Sequence, residues 1–241
     1  MNPAPILVIG AGRSGTSLMA ACLNGHPSIV MRPEYHSTQI LMGDDEPIGS
    51  VARMLDARLA HFTAVCNEDR AHHPGAIWGN KVTTEQIGGL EEHNSLNRSR
   101  VDVIARFAEA MAEYRKIFII RDGRSCVDSK VRRAGVPMMR AALRWCYGVR
   151  VLDRLSELGD LCAVVRYEDL VRRPLSRLKR VCDALNIDFH HAMLEQTNSE
   201  TLLQSEYRHG RFLREKADEI PVLPDEVLEV IAPDLKRLGY F

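Results

Sequence analysis

Two stretches of this 241-residue chain have the residue types and spacing to hold anions. The first is Gly10-Ala11-Gly12-Arg13-Ser14-Gly15-Thr16-Ser17, which follows the apolar run Pro5–Gly10 and opens a helical pattern. A glycine-rich turn between a strand and a helix points backbone N–H groups into the loop, and the helix dipole adds positive potential. Gly10 and Gly15 have the spacing of the nucleoside triphosphate loop, Gly-x-x-x-x-Gly-Lys-[Ser/Thr], but Thr16 stands where the lysine is required. Without that lysine a triphosphate loses its β/γ-phosphate partner. The cation has moved forward to Arg13, which favours a nucleotide with one 5′-phosphate and a transferable group beside it. The plain alternative is a glycine turn in an ordinary βα unit.

The second stretch is Arg121-Asp122-Gly123-Arg124, followed by Ser129 and Arg132-Arg133. Arg121 leaves a buried apolar run, Lys116–Ile120, so it stands at the end of a strand. A guanidinium there can take a phosphate in bidentate fashion, and Ser129, two turns along the next helix, can add a hydroxyl. The alternative is an ion pair of Arg121 with Asp122 or Glu168.

These residues need a frame. Short apolar, β-branched runs predict strands at Pro5–Gly10, Ser28–Met31, Ala76–Lys81, Lys116–Ile120 and Leu161–Arg166. Helical spacing predicts helices at Thr16–Leu23, Pro47–Val65, Arg98–Tyr114, Arg124–Arg133, Met138–Leu158, Leu175–Leu185 and Glu226–Leu238. The third shows Val101, Ile104, Ala105, Ala108 and Met111 on one face. Strands alternating with helices predict an α/β fold of the P-loop type, a mostly parallel sheet with helices on both faces. In such sheets ligands lie beyond the carboxyl ends of the strands, where both stretches fall.

A chain that is 45% hydrophobic can build one large core, and no Gly/Ser/Pro-rich linker divides it, so residues 1–241 read as a single domain. The formal net charge of +0 argues against a field that gathers nucleic acid. The six cysteines make no C-x-x-C pair and no zinc spacing, which predicts reduced thiols, a cytoplasmic location and no metal site. No apolar run reaches the length of a membrane span, and Ile6–Ile9 is too short for a signal peptide. Trp78 and Trp145 read as core, His72-His73 as an unpartnered loop pair and Arg172-Arg173 as a solvated helix end.

The order of motifs resembles the sulfotransferase family that uses 3′-phosphoadenosine 5′-phosphosulfate (PAPS), and within it the protein-tyrosine sulfotransferase branch and its bacterial relatives. The resemblance rests on Ile9 through Met19, Leu23 through His26-Pro27, Asn80-Lys81, Ile120 through Arg124 with Ser129, Arg166 through Leu170, and Ile231-Ala232-Pro233 through Tyr240. It implies that Gly12, Arg13, Ser14, Gly15, Thr16 and Ser17 hold the 5′-phosphosulfate, with Arg13 also serving catalysis. It implies that Arg121, Ser129 and Arg133 hold the 3′-phosphate, and that Tyr167 lies near the nucleotide or in the core. Glu34 matches the position of the branch's catalytic glutamate, with His36 as the rival base. The branch carries glutamate-threonine-arginine there, whereas this chain has Glu34-Tyr35-His36, which weakens the case for a peptide-tyrosine acceptor. Lys81 would contact the bridging oxygen and the leaving phosphate. The small-molecule branch keeps its histidine base two residues after this lysine, and Thr83 occupies that place here.

The implied reaction moves a sulfuryl group from PAPS to a hydroxyl acceptor and leaves adenosine 3′,5′-bisphosphate (PAP). Peptide tyrosine, a glycan and a small molecule are all open as acceptors, and an exposed helix could form a homodimer. Ser205–Arg211, within 196–215, falls where the family has a nucleotide-covering loop. The rival readings are an ATP-dependent phosphotransferase, which needs the lysine that Thr16 replaces, and a non-catalytic nucleotide-binding module, which would not need Glu34 or Lys81.

Overall fold

The apolar run ahead of the glycine loop forms strand β1, Ile6–Gly10, and all five of its residues are buried. A strand in the middle of a parallel sheet is covered on both faces, which is why its sequence shows no polar alternation. The computed structural model of the chain describes residues 3–43, 54–96, 100–195 and 215–241. After β1 come α1 (Thr16–Asn24), β2 (Ile29–Pro33), α2 (Ser37–Met42), α3 (Met54–Ala71), β3 (Ile77–Thr83), α4 (Thr84–Leu96) and α5 (Val103–Ala110). Next follow β4 (Arg115–Ile120), α6 (Gly123–Ala134), α7 (Met138–Glu157), β5 (Leu161–Arg166), α8 (Tyr167–Arg172) and α9 (Pro174–Leu185). The short helices α10 (Ala192–Glu195) and α11 (Glu215–Asp218) precede α12 (Asp225–Arg237).

The strands make one sheet in the order β2-β3-β1-β4-β5, and every pairing is parallel. Side chains of β1 alternate between two cores. Leu7 and Ile9 join Phe118, Ile120 and the inward faces of α3, α4, α5, α7 and α12. Ile6 and Val8 join Ile117, Ile119, Val165 and the helices α1, α8 and α9. Each large apolar side chain fully buried in this way contributes roughly 1.5–3 kcal/mol.

The five predicted strands and the alternating pattern are present, and several boundaries differ. Lys81 does not end its strand, because β3 runs on to Thr83, pairing Gly10 with Thr83 across the sheet. The predicted helix over 98–114 is shorter. Asp102 caps α5 by accepting the Ala105 N–H at 2.9 Å, so Val101 stays outside the helix and is 43% exposed. Ile104, Ala108 and Met111 of the predicted face are buried, and Val103 and Phe107 join them in place of Val101 and Ala105. The predicted helix over 47–65 is α3 from Met54 onward, and its first part lies outside the described residues, as does Ser205–Arg211. Among the described residues no helix is long and apolar enough to cross a membrane.

Candidate active site

Each strand hands the chain to the same edge of the sheet, and the predicted site residues follow. The glycine loop leaves β1, Glu34 follows β2 directly, and Lys81 lies near the end of β3. Arg121 follows β4 directly, and Tyr167 follows β5.

In the glycine loop, Ser14 N–H donates to the Ala11 carbonyl at 2.9 Å, which closes the turn. Arg13 and Gly15 both take left-handed conformations, with φ of 75° and 97°. Gly15 stands at the N-terminus of α1, and the first N–H groups of a helix have no intrahelical acceptor, so they face the loop's concavity. A Cβ on Gly15 would lie 2.5 Å from Tyr167 Cδ2, so the loop rests on the Tyr167 ring. That ring is only 2% exposed. Its face carries the Arg121 guanidinium at 4.4 Å from the centroid, a cation–π contact. Tyr167 is therefore a core residue that seats both the loop and Arg121.

Arg121 is also held by the backbone of the glycine loop. Its Nη1 donates to the Arg13 carbonyl at 3.3 Å. Asp122 accepts from the Arg124 guanidinium and caps α6 by taking the Arg124 N–H at 2.9 Å. Glu168 accepts the Asp122 N–H at 2.9 Å and the Tyr240 hydroxyl at 3.3 Å. Burial raises the Glu168 carboxyl above its ordinary range. The indole of Trp145, fully buried, donates to the Arg121 carbonyl at 3.0 Å. Trp78 is likewise core, donating to Asp69 at 2.8 Å. Backbone, ring and indole thus fix Arg121 so that it lines a cleft with Arg13, Ser129 and Arg133. Arg13 belongs to this cleft through its side chain, whose Nε donates to Ser129 Oγ at 3.1 Å. Arg132, Ser125, Asp128 and Glu219 also line the cleft, so four guanidiniums face two carboxylates there, a surplus of positive charge that suits an anion. Arg172, expected as solvated, is exposed at the end of α8 and pairs there with Asp218 at 2.6 Å.

The second cluster is built on β2 and β3. The Lys81 ammonium, on a residue only 5% exposed, donates to Glu34 Oε1 and to Ser17 Oγ, the latter at 3.3 Å. It therefore joins the carboxylate to the first turn of α1. Glu34 sits in a tight turn: its φ is 57°, its N–H donates to the Lys81 carbonyl at 3.0 Å, and Asn80 clamps the next residue from both sides. Asn80 Oδ1 accepts the Tyr35 N–H and Nδ2 donates to the Tyr35 carbonyl, each at 3.1 Å. The Glu34 side chain stays 40% exposed, so an incoming molecule can reach it. His36 is exposed and sets its ring edge-on to Tyr35 at 4.4 Å.

Sequence reasoning missed two residues that open α4. Gln86 donates to Glu34 Oε2 at 3.4 Å and to Thr38 at 2.9 Å, while its Oε1 accepts the Thr83 N–H at 2.8 Å. Glu85 accepts the Gly12 N–H at 2.9 Å and an ammonium proton of Lys130. Gly12 was expected to face the anion, but its N–H is engaged by this carboxylate. Burial alone would raise the Glu85 carboxyl; Lys130 and the Gly12 N–H outweigh it and hold the group below its ordinary range. The available signal was positional: Thr84-Glu85-Gln86 directly follows the strand β3, at the end of the sheet where ligands sit.

An all-parallel α/β sheet with a glycine loop after its central strand defines the architectural class. A model of the sulfotransferase family matches residues 5–191, and the chain belongs to that family. It is 24% identical to protein-tyrosine sulfotransferase A of Caenorhabditis elegans over 267 residues, which covers 98% of this chain and 67% of the relative. It is 26% identical to the protein-tyrosine sulfotransferase of Drosophila melanogaster over 214 residues, 78% of this chain but 39% of that relative. Its fold matches the sulfotransferase domain from the Synechococcus PCC 7002 olefin synthase with a TM-score of 0.66 at 20% identity, over 96% of this chain and 94% of that one.

Proposed function

We propose that this sulfotransferase takes the sulfuryl group of PAPS and passes it to a hydroxyl-bearing acceptor, acting as a single cytoplasmic domain. The observation that carries this reading is the Lys81 ammonium joining Glu34 to Ser17 at the mouth of the glycine loop. PAPS has two separated anionic ends, and the chain offers two separated groups of donors to hold them. Arg121, Ser129, Arg133 and Arg13 suit the 3′-phosphate. The N-terminal turn of α1, with Ser14 through Ser17, and Lys81 suit the 5′-phosphosulfate.

Sulfuryl transfer needs a base for the acceptor hydroxyl, cations on the transferring oxygens and stabilisation of the leaving phosphate. Glu34 is the base: a half-exposed carboxylate beside the loop can accept the hydroxyl proton as the acceptor oxygen bonds to sulfur. Lys81 then stabilises the phosphate oxygen from which sulfur departs. Its present pairing with Glu34 keeps both groups within reach of one reacting centre, and Gln86 holds the other carboxylate oxygen in place. His36, turned against Tyr35, is the weaker base candidate.

Calorimetric titration with PAP, free of metal and in parallel with ATP and magnesium, tests the donor assignment. Tight binding of PAP and weak binding of ATP supports it. The reverse pattern makes the chain a phosphotransferase, and binding of neither makes it a non-catalytic module.

A further inference from the structure

Behind the glycine loop lies a buried ion pair that the proposed chemistry does not use. Glu85 stands in the first turn of α4, and its carboxylate presses against the loop backbone: a Cβ on Gly12 would lie 3.3 Å from Glu85 Oε1. Oε2 accepts the Gly12 N–H at 2.9 Å, and Oε1 accepts from Lys130 Nζ. Both side chains are almost fully enclosed. Lys130 belongs to α6, one residue beyond Ser129. The next two loop residues are tied to the same helix. Arg13 Nε donates to Ser129 Oγ at 3.1 Å, and Ser14 Oγ lies 3.4 Å from Cys126 Sγ. Three consecutive loop residues are thus fastened to α6, and Glu85 makes the first of these ties.

The tie has an electrostatic side. A backbone N–H engaged by a carboxylate cannot also donate to a phosphate oxygen. A lysine neutralised by that carboxylate cannot offer a free charge. Thr16 already removes the lysine that a triphosphate loop carries. Lys130 is a second lysine close to the loop, and Glu85 holds it away from any bound anion. Without Lys130, the unpaired Glu85 carboxylate would oppose each further anionic group brought beside it.

We propose that Glu85 is a specificity-determining positioning residue: by taking the Gly12 N–H and restraining Lys130, it limits the glycine loop to a 5′ group with a single phosphorus and excludes 5′-di- and triphosphates. This rests on the reading of the chain as a PAPS-using sulfotransferase.

The test is metal-free calorimetric titration of the full chain with PAP, ADP and ATP, in the wild type, Glu85→Gln, Lys130→Met and the double variant. In Glu85→Gln the amide oxygen still accepts the Gly12 N–H, but the charge is gone and Lys130 is released. ADP and ATP should then bind at least about tenfold more tightly, with PAP changed less than about threefold. Adding Lys130→Met should abolish that gain. Lys130→Met alone leaves the carboxylate unneutralised, so each added 5′-phosphate should weaken binding more than in the wild type; this keeps the proposal testable if Glu85→Gln does not fold. An equal loss for all three nucleotides in Glu85→Gln, or no change in any, overturns the assignment and leaves Glu85 a simple brace. A wild type that does not bind PAP refutes the donor reading itself, whereas PAP binding with unshifted discrimination refutes only the role of Glu85.

Discussion

Replacing Gly15 by alanine tests whether the glycine loop and the second anion cleft share one support. Two costs apply. Gly15 has φ of 97°, a conformation that costs an L residue with a Cβ about 1–2 kcal/mol. The new Cβ would also lie 2.5 Å from Tyr167 Cδ2 and 3.2 Å from Ile119 Cδ1, and overpacking of this kind costs about 1–3 kcal/mol. Together they predict a destabilisation of roughly 2–5 kcal/mol, or about 4–20 °C in melting temperature for a chain of this size. The ring cannot retreat freely, since Tyr167 is buried and the Arg121 guanidinium rests on its face. Its displacement should therefore weaken PAP binding through Arg121 as well as through the loop. Thermal unfolding with calorimetry on Gly15→Ala, Tyr167→Ala and the double variant separates the two costs. Relief of the clash should make the double variant less destabilised than the sum of the singles, because residues in contact do not behave additively. A Gly15→Ala protein that melts within about 1 °C of the wild type would refute the reasoning, as would strict additivity in the double variant.

Three further outcomes are expected. Lys81→Met and Glu34→Gln should each lower kcat by about 10²–10³-fold, with PAP bound nearly as before in Glu34→Gln and more weakly in Lys81→Met, and wild-type turnover in both would remove the pair from the chemistry. Arg121→Ala should weaken PAP about tenfold to a hundredfold, as expected for a lost charge-assisted hydrogen bond; unchanged affinity in a titration would take Arg121 out of the site. Because the Glu85 carboxyl in the folded protein is held below its ordinary value of 4.5, the stability it contributes is fully present above pH 4.5 and is lost as pH falls below that value. Melting curves from pH 3 to 7 should then show a shallower acid limb in Glu85→Gln, and an identical limb in both proteins would contradict the assigned direction.

The strands were legible because parallel strands buried on both faces read as unbroken apolar runs, as Ile6–Ile9 and Ile117–Ile120 do. The glycine loop and Arg121 were legible because each follows such a run without an interval. The bounds of α5 were not, since apolar spacing alone cannot reveal that Asp102 turns its carboxylate onto the Ala105 N–H. The direction of the Arg13 side chain was also hidden: it depends on the left-handed backbone at that residue and on Ser129, 116 residues away along the chain. Glu85 and Gln86 escaped notice because the polar run Thr84-Glu85-Gln86 after a strand looks like the start of any helix. Only the adjacency of β3 to β1 brings them against Gly12 and Glu34.

The strand order β2-β3-β1-β4-β5 is also a division of labour across the sheet. Neighbouring strands lie about 4.8 Å apart, so the residues leaving their ends are spaced by backbone hydrogen bonding rather than by side-chain choice. Glu34 leaves the outermost strand on one side, Lys81 and the glycine loop lie inward of it, and Arg121 lies beyond the centre. The carboxylate proposed to meet the acceptor therefore belongs to an edge, separated from the helix α2 by Tyr35 and His36. Insertions or replacements at that edge can remodel the surface an acceptor meets while the inner strands keep their spacing. A lineage built on this sheet can change what it modifies without rebuilding how it holds the donor.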